Sequence, residues 1–341
     1  MIQQALQRLL DGHDLGREET REVMGEIMRG EATPAQIGGF LVALRAKGET
    51  PDEIAGCAEA MRAHVLPVRP RRDDLVDTAG TGGDGARTIN ISTAAALVAA
   101  AAGAGVAKHG NRAVSSACGS ADVLEALGFS LEQEPGRIAR SIDELGFGFL
   151  FAPSHHPAMR HAAPVRKELA TRTVFNVLGP LTNPAGARAQ VVGVYSEQLV
   201  RTIAEVLARL GARRAFVVHG AGGIDELSPV GSNLVAEVVD GTVSERRLDP
   251  EAELGLPRCS VEELRGGTPE DNAAAVREVF SGADGGRRSA ILLNAAGAIA
   301  AAGHAADLRD GLELAREAVD SGAAAARLEQ LASFSQETVV I

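Results

Sequence analysis

Residues 75–110 read LVDTAGTGGDGARTINISTAAALVAAAAGAGVAKHG, and the fold class follows from this stretch. Leu75-Val76-Asp77 is a short strand, Gly80 to Gly85 a glycine-rich turn, Thr93 to Ala102 an apolar helix, and Val106-Ala107-Lys108 a second strand. Strand, helix and strand joined this way make a βαβ unit, which calls for parallel pairing. The alternation continues downstream. Ala121 to Leu127 reads as a helix, Ala189 to Tyr195 as a strand, Glu197 to Leu210 as a helix and Ala215 to His219 as a strand. The expected fold class is therefore α/β, with a largely parallel sheet covered on both faces. Leu234 to Val239 and Val243 to Arg247, joined by Asp240-Gly241, form a hairpin. From Thr268 onward the pattern is mostly helical.

Upstream of residue 75 the pattern is different. Thr33-Pro34-Ala35-Gln36 and Thr50-Pro51-Asp52-Glu53 each place an N-cap Thr, a Pro at the first helical position and a capping-box partner at the third. Ile37, Phe40, Leu41 and Leu44 then recur at helical spacing, as do Ile54, Cys57, Ala58, Met61 and Val65. The polar, proline-containing run PVRPRRDD (67–74) marks a boundary. The chain is thus expected to divide into a helical part, residues 1–70, and an α/β part, residues 74–341. The stretch 165–188 fits neither pattern and is expected to return to the helical part.

Composition narrows the function. A chain of 341 residues with 45% hydrophobic and 23% charged residues is long enough for two domains of an ordinary soluble protein. A net charge of −11 argues against nucleic acid as a partner, because a polyanion needs a basic surface. Cys57, Cys118 and Cys259 show no CxxC or zinc-ligand spacing, so reduced thiols are expected. Met1 to Leu10 lacks a signal-peptide pattern, and the most apolar stretch, Thr93 to Val106, is too short to span a bilayer. A cytoplasmic protein with no membrane partner is the expectation.

The glycine run Gly80-Thr81-Gly82-Gly83-Asp84-Gly85 matches the dinucleotide fingerprint G-x-G-x-x-G. However, the loop continues through Ala86 to Thr93 before the helix settles, so the third glycine does not open the helix. The next strand ends in Lys108-His109, where a dinucleotide site would carry an acidic residue for a ribose diol. A pyrophosphate on a sugar suits the segment better. Glycines allow backbone N–H groups to close on phosphate oxygens, Asp84 can accept from ribose hydroxyls, and Asn90, Ser92 and Thr93 crowd a helix N-terminus. Taken singly, Asn90, Ser92 or Thr93 could serve equally well as a plain N-cap.

A second loop, Lys108-His109-Gly110-Asn111-Arg112-Ala113-Val114-Ser115-Ser116, packs cations, an amide and hydroxyls between a strand and a helix. A third feature is Asp225-Glu226, which follows the strand 215–219 and a glycine-rich turn. An isolated Asp-Glu is ordinarily a solvated turn, but its place at a strand's carboxyl end is where α/β sheets gather ligands.

GTGGD (80–84), NIST (90–93), KHGNR (108–112) with SS (115–116), NVLGPLTNPA (176–185) and GIDELSP (223–229), in this order, resemble the signature segments of anthranilate phosphoribosyltransferases over essentially the whole chain. The resemblance implies a helical domain beside an α/β domain, a homodimer through the helical domains, and two Mg²⁺ ions per active site. It also implies transfer of the phosphoribosyl group of phosphoribosyl pyrophosphate (PRPP) to anthranilate. By the same resemblance, Gly80, Gly83, Asp84, Thr88, Asn90, Ser92, Thr93, Lys108, His109, Gly110, Asn111, Arg112, Ser115, Ser116 and Ser120 match PRPP-binding positions. Gly80, Asn111 and Arg166 match anthranilate contacts, and Ser92, Asp225 and Glu226 match metal ligands. No general base is assigned, and His109 and His156 are left as pocket or structural histidines. The alternatives are a pyrimidine nucleoside phosphorylase, whose loops differ from GTGGDGART and KHGNR, and a nucleic-acid-binding relative of the same fold, which an acidic chain does not favour.

Overall fold

A computed structural model describes residues 1–113 and 117–337; the candidate hydroxyls Ser115 and Ser116 lie outside the described residues. Four helices, Ile2–Leu10, Arg17–Arg29, Pro34–Lys47 and Pro51–Ala63, form the amino-terminal bundle. Both capping boxes are made. The Gln36 N–H donates to Thr33 Oγ1 at 3.3 Å, and the Thr33 N–H donates to Gln36 Oε1 at 2.8 Å. Glu53 completes the second box and, fully buried, also accepts from the Leu15 N–H at 2.9 Å and Lys47 Nζ at 3.0 Å. One carboxylate therefore ties three segments of the bundle together.

Seven strands form one sheet: β1 (Leu75–Gly80), β2 (Gly105–Gly110), β3 (Phe147–Phe151), β4 (Ala189–Gly193), β5 (Arg214–His219), β6 (Asn233–Val239) and β7 (Thr242–Leu248). Their order is β3-β2-β1-β4-β5-β6-β7; β1 to β5 are parallel, and β6 and β7 are antiparallel. The expected parallel sheet and hairpin are both present. Asp240 and Gly241 have φ of 45° and 84°, the left-handed pair that a two-residue hairpin turn demands.

β3 and the helix before it, Pro135–Leu145, were not anticipated from sequence. The strand is short and interrupted by Gly148, where a Cβ would stand 2.7 Å from Ile142. The glycine that weakens the strand signal is what lets the helix approach.

One sheet face is covered by Ile91–Ala101, Gly286–Ala302, Leu308–Asp320 and Ala323–Gln336, in a core built largely from alanine. On the other face, Val192, Val217 and Ala236 join one buried cluster with Ile203 and Leu207 of helix Gln198–Arg209 and with Phe40, Leu41 and Ile54 of the bundle. Val165, Phe175 and Leu178 are buried in that same cluster. No helix of the described residues is long and apolar enough to cross a membrane.

Winding runs outward from β1 to β2 and β3, then returns to place β4 on the other side of β1. The direction reverses between β1 and β4, and ligands of open α/β sheets gather outside the carboxyl ends at such a point. The loop after β5 lies across it. A Cβ on Gly193, the last residue of β4, would stand 1.5 Å from the Asp225 carbonyl oxygen, and one on Gly80, the last of β1, 2.4 Å from Asp225 Oδ2. Gly193→Ala therefore cannot be accommodated without moving Asp225. The expected result is a loss of about 1–3 kcal/mol in urea unfolding and loss of activity, with the far-ultraviolet circular dichroism unchanged. Wild-type turnover in this variant would show that the close approach is not needed.

Candidate active site

Two carboxylates of the loop after β5 turn back onto the loop after β1. Asp225 Oδ2 accepts the Gly82 N–H at 2.6 Å, and Asp84 Oδ2 accepts the Asp225 N–H at 3.2 Å. Glu226 Oε1 accepts the Ser92 N–H at 3.1 Å, in the first turn of helix Ile91–Ala101, where the helix dipole favours negative charge. The loop is anchored just beyond these residues. Asn294, buried in helix Gly286–Ala302, accepts the Leu227 N–H at 2.9 Å and donates to the Leu227 carbonyl at 2.7 Å. Asn233 likewise accepts the Ser228 N–H at 2.7 Å.

Crowding and enclosure act on the acids. Burial, followed by repulsion from Glu226 and Asp84, raises the Asp225 carboxyl well above its ordinary range. Burial also raises Glu226 to about 7, against the pull of Lys108. Two buried carboxylates pushed toward neutrality, with a third beside them, make a site short of positive charge, and a cation would restore the ionisation of Asp225 and Glu226. Among the described residues no three His, Cys, Asp or Glu side chains converge as a complete metal site. One or two carboxylates with a hydroxyl, completed by water and phosphate oxygens, is the donor set that Mg²⁺ takes, and Ser92, Asp225 and Glu226 fit it.

Lys108, on β2, is 1% exposed. Its Nζ donates to the Thr78 carbonyl at 2.5 Å and approaches Thr78 Oγ1 at 3.3 Å and Ser92 Oγ at 3.5 Å. It forms no ion pair among the described residues; Asp77 and Glu226 act on it from further away, while burial pushes its ammonium pKa down. Asp77, fully buried on β1, accepts the His109 N–H at 3.0 Å and Asn183 Nδ2–H at 2.8 Å. Burial raises its carboxyl to about 6, with Lys108 pulling the other way.

Asn90 proves to be a cross-brace rather than a cap. It occupies the N-cap position of helix Ile91–Ala101, but its side chain makes no capping hydrogen bond. Its Nδ2 donates to the Cys118 carbonyl at 3.2 Å, and its Oδ1 accepts from Asn272 Nδ2 at 2.8 Å. Ser92 and Thr93 lie inside the helix's first turn, and Thr93 Oγ1 is buried without a hydrogen-bond partner among the described residues. In the second loop, Ser120 Oγ donates to the Asn111 carbonyl at 3.2 Å. A Cβ on Gly110 would stand 2.2 Å from that hydroxyl. Asn111 is exposed, and Arg112 is occupied by ion pairs with Asp122 and Glu125. Thr88 is half-buried and bridges to Arg265 through its backbone.

His109 and His156 are both buried, with Nε2 atoms 3.2 Å apart, and His109 Nδ1 lies 3.1 Å from the Gly179 carbonyl. A carbonyl can only accept, so Nδ1 of His109 carries the proton and its Nε2 accepts from His156. Burial holds both rings neutral, His109 at about 3 and His156 at about 4. Arg166 is half-buried, forms no ion pair among the described residues, and lies 5.0 Å from the Phe175 ring centroid. Burial lowers its pKa.

The sequence reading missed Asp77, Asn183, Asn272, Asn294 and Arg172. Asp77 had a signal, a lone acid within an apolar strand, and Asn183 lay inside a motif. Asn272 and Asn294 sit in helices with nothing local to mark them.

Residues 72–325 match a glycosyl transferase family a/b domain, and residues 3–65 match that family's helical bundle domain. The chain is 56% identical over 336 residues to an anthranilate phosphoribosyltransferase of Anaeromyxobacter sp. strain Fw109-5, covering 98% of this chain and 99% of that one. It superposes on the crystal structure of the Thermus thermophilus anthranilate phosphoribosyltransferase with a TM-score of 0.93 at 51% identity, covering 98% and 99% of the two chains. The Saccharomyces cerevisiae enzyme in complex with PRPP and Mg gives a TM-score of 0.88 at 28% identity, covering 98% and 97%. With its loops gathered at the switch point of the same two-part fold, this chain belongs to the anthranilate phosphoribosyltransferase family.

Proposed function

We infer that this chain transfers the phosphoribosyl group of PRPP to the amine of anthranilate, giving N-(5-phosphoribosyl)anthranilate and pyrophosphate in tryptophan biosynthesis. The observation that carries this reading is the convergence of Asp225, Glu226, Ser92 and Lys108 on the glycine loop at the switch point. PRPP brings a pyrophosphate whose charge must be neutralised before C1′ can ionise. Two Mg²⁺ ions held by Ser92, Asp225 and Glu226 would supply that electrophilic charge and orient the leaving group.

The chain's own residues do the rest. Backbone N–H groups at Gly80, Gly83 and Gly110, with Thr88, Asn90, Thr93, Asn111, Arg112 and Ser120, form the cradle proposed for PRPP. Thr93 offers a buried hydroxyl with no other partner among the described residues. Lys108, desolvated and with no ion pair among the described residues, lies beside it, where a bound phosphate would restore the charge that burial disfavours. Arg166 holds the anthranilate carboxylate, its guanidinium being half-buried, set over the Phe175 ring and without an ion pair among the described residues. The aniline nitrogen is uncharged at neutral pH and needs no strong base. His109 has both ring nitrogens committed to protein partners, so it orders the site and takes no proton. Catalysis then rests on positioning and electrostatics. We place the protein in the cytoplasm as a homodimer through its helical part, where Leu10 and Val42 are exposed.

The direct test follows anthranilate fluorescence with protein, PRPP and Mg²⁺. Signal loss that requires all three and stops with EDTA is expected; persistence of signal would withdraw the reaction. Arg166→Ala should raise the anthranilate KM by ~10–100-fold and leave the PRPP KM within a few-fold. An equal rise in both would remove its role.

The histidine pair sets a pH dependence. Both folded pKa values lie below the unfolded value of about 6.5, so the unfolded chain binds more protons as pH falls and stability is lost below 6.5. Replacing both by Asn should remove up to about 2–3 kcal/mol per histidine of the pH 6.5-to-4.5 decline, measured as urea unfolding against wild type. Parallel stability profiles would mean that the pair is not held neutral.

A further inference from the structure

Arg172 lies between helices Ala163–Leu169 and Phe175–Leu178, in the segment whose Val165, Val174 and Phe175 are buried with the bundle. Its side chain leaves that segment and crosses to the glycine loop. The guanidinium carbon sits 3.8 Å from the centroid of the Tyr195 ring, close enough to lie flat on its face. Nη2 donates to the Gly83 carbonyl at 2.6 Å. This is the one hydrogen bond recorded between residues 163–185 and 80–88 among the described residues. Tyr195 is itself pinned to the same loop, because its N–H donates to Thr81 Oγ1 at 3.1 Å and the Thr81 N–H donates to the Gly193 carbonyl at 2.9 Å.

The Gly83 carbonyl matters because of the peptide that follows it. In a planar trans peptide the C=O and the next N–H point in opposite directions. By holding the Gly83 carbonyl on one side, Arg172 fixes the Asp84 N–H on the other, where it has no acceptor among the described residues. Gly82, Gly83 and Gly85 have φ of 69°, 78° and 76°, so the peptides of this run have little steric preference of their own. Without an external tether the Gly83–Asp84 peptide could rotate. The loop is held on one side through Asp225, by the Gly82 N–H and the Asp84 carboxylate, and on the other by Arg172.

We propose that Arg172, held flat by Tyr195, is a positioning residue for PRPP: it sets the Gly83–Asp84 peptide so that the Asp84 N–H is ready for a phosphate oxygen, without itself touching substrate. This rests on the reading of loop 80–93 as the PRPP cradle. A planar guanidinium can stack on a ring and donate in its own plane at once, which an ammonium cannot do, so lysine is a poor replacement.

The chain has one tyrosine and no tryptophan, so tyrosine emission reports on Tyr195 alone. The experiment measures KM for each substrate and kcat in wild type, Arg172→Ala, Arg172→Lys, Tyr195→Leu and Tyr195→Phe, and Tyr195 emission in the three proteins that keep the tyrosine. Arg172→Ala should change Tyr195 emission, raise the PRPP KM by ~10-fold or more, and leave kcat and the anthranilate KM within about threefold. Arg172→Lys and Tyr195→Leu should raise the PRPP KM in the same way, whereas Tyr195→Phe, which keeps the ring, should retain the wild-type PRPP KM. A PRPP KM within twofold of wild type in Arg172→Ala would overturn the proposal, as would equal rises for both substrates or a fall confined to kcat. Failure of the wild-type protein to consume PRPP would instead overturn the reading of the loop, so the two failures are distinguishable.

Discussion

The geometry of the site depends on one close approach, the Asp225 backbone lying against the carboxyl end of β4 at Gly193. A loop that follows β5 would normally stand clear of β1. Because Gly193 has no side chain, the loop drops across the switch point and brings Asp225 within reach of the Gly82 N–H and Glu226 within reach of the Ser92 N–H. Two segments more than 130 residues apart in sequence thereby share one cleft. The amide of Asn294 holds the loop from beneath through both polar groups of Leu227. A side chain at Gly193 and a missing amide at Asn294 would both displace the same carboxylates.

That approach creates an electrostatic problem which the protein leaves open. Asp84, Asp225 and Glu226 crowd together, and Lys108 is buried among carbonyl and hydroxyl oxygens instead of closing on any of them. Each group would be more comfortable with a direct partner of opposite charge. Left apart, the acids are available to divalent cations and the ammonium to phosphate oxygens. An acidic chain can therefore suit a polyanionic substrate, because the charges left apart here are of both signs.

Most of the fold was legible in sequence, and so were the loops that meet at the switch point. The βαβ reading of residues 75–110 held because the glycine run, the alanine-rich helix and the Lys108 strand each carry a local signal, and the capping boxes at Thr33 and Thr50 are made as read. What failed to show had causes outside its own neighbourhood. β3 is masked by Gly148, whose role is to admit Ile142 from another helix. For Asn90 the sequence offered a plain cap beside a ligand contact, because N-capping is a local property, whereas its cross-brace depends on Asn272, 182 residues away. Asn294 sits in a helix that is apolar nearly throughout, and only the loop above it explains an amide there.

The supports of the site differ in rigidity, and the difference suits the chemistry. Asn183, Asn233, Asn294 and Asp77 are buried, and each holds backbone or amide groups of a neighbouring segment. These anchors fix β1, β2 and the Asp225-Glu226 loop, which carry the fixed charges. The glycine loop is different, with three left-handed glycines and exposed backbone; beyond Thr81, its ties to neighbouring segments run through Asp225 and Arg172. A reaction whose acceptor amine needs no base depends on holding a charged donor still while its C1′–O bond breaks. A rigid electrostatic frame with one glycine-rich backbone loop suits the proposed transfer, since the frame would set where charge is stabilised and the loop would present its backbone to the pyrophosphate.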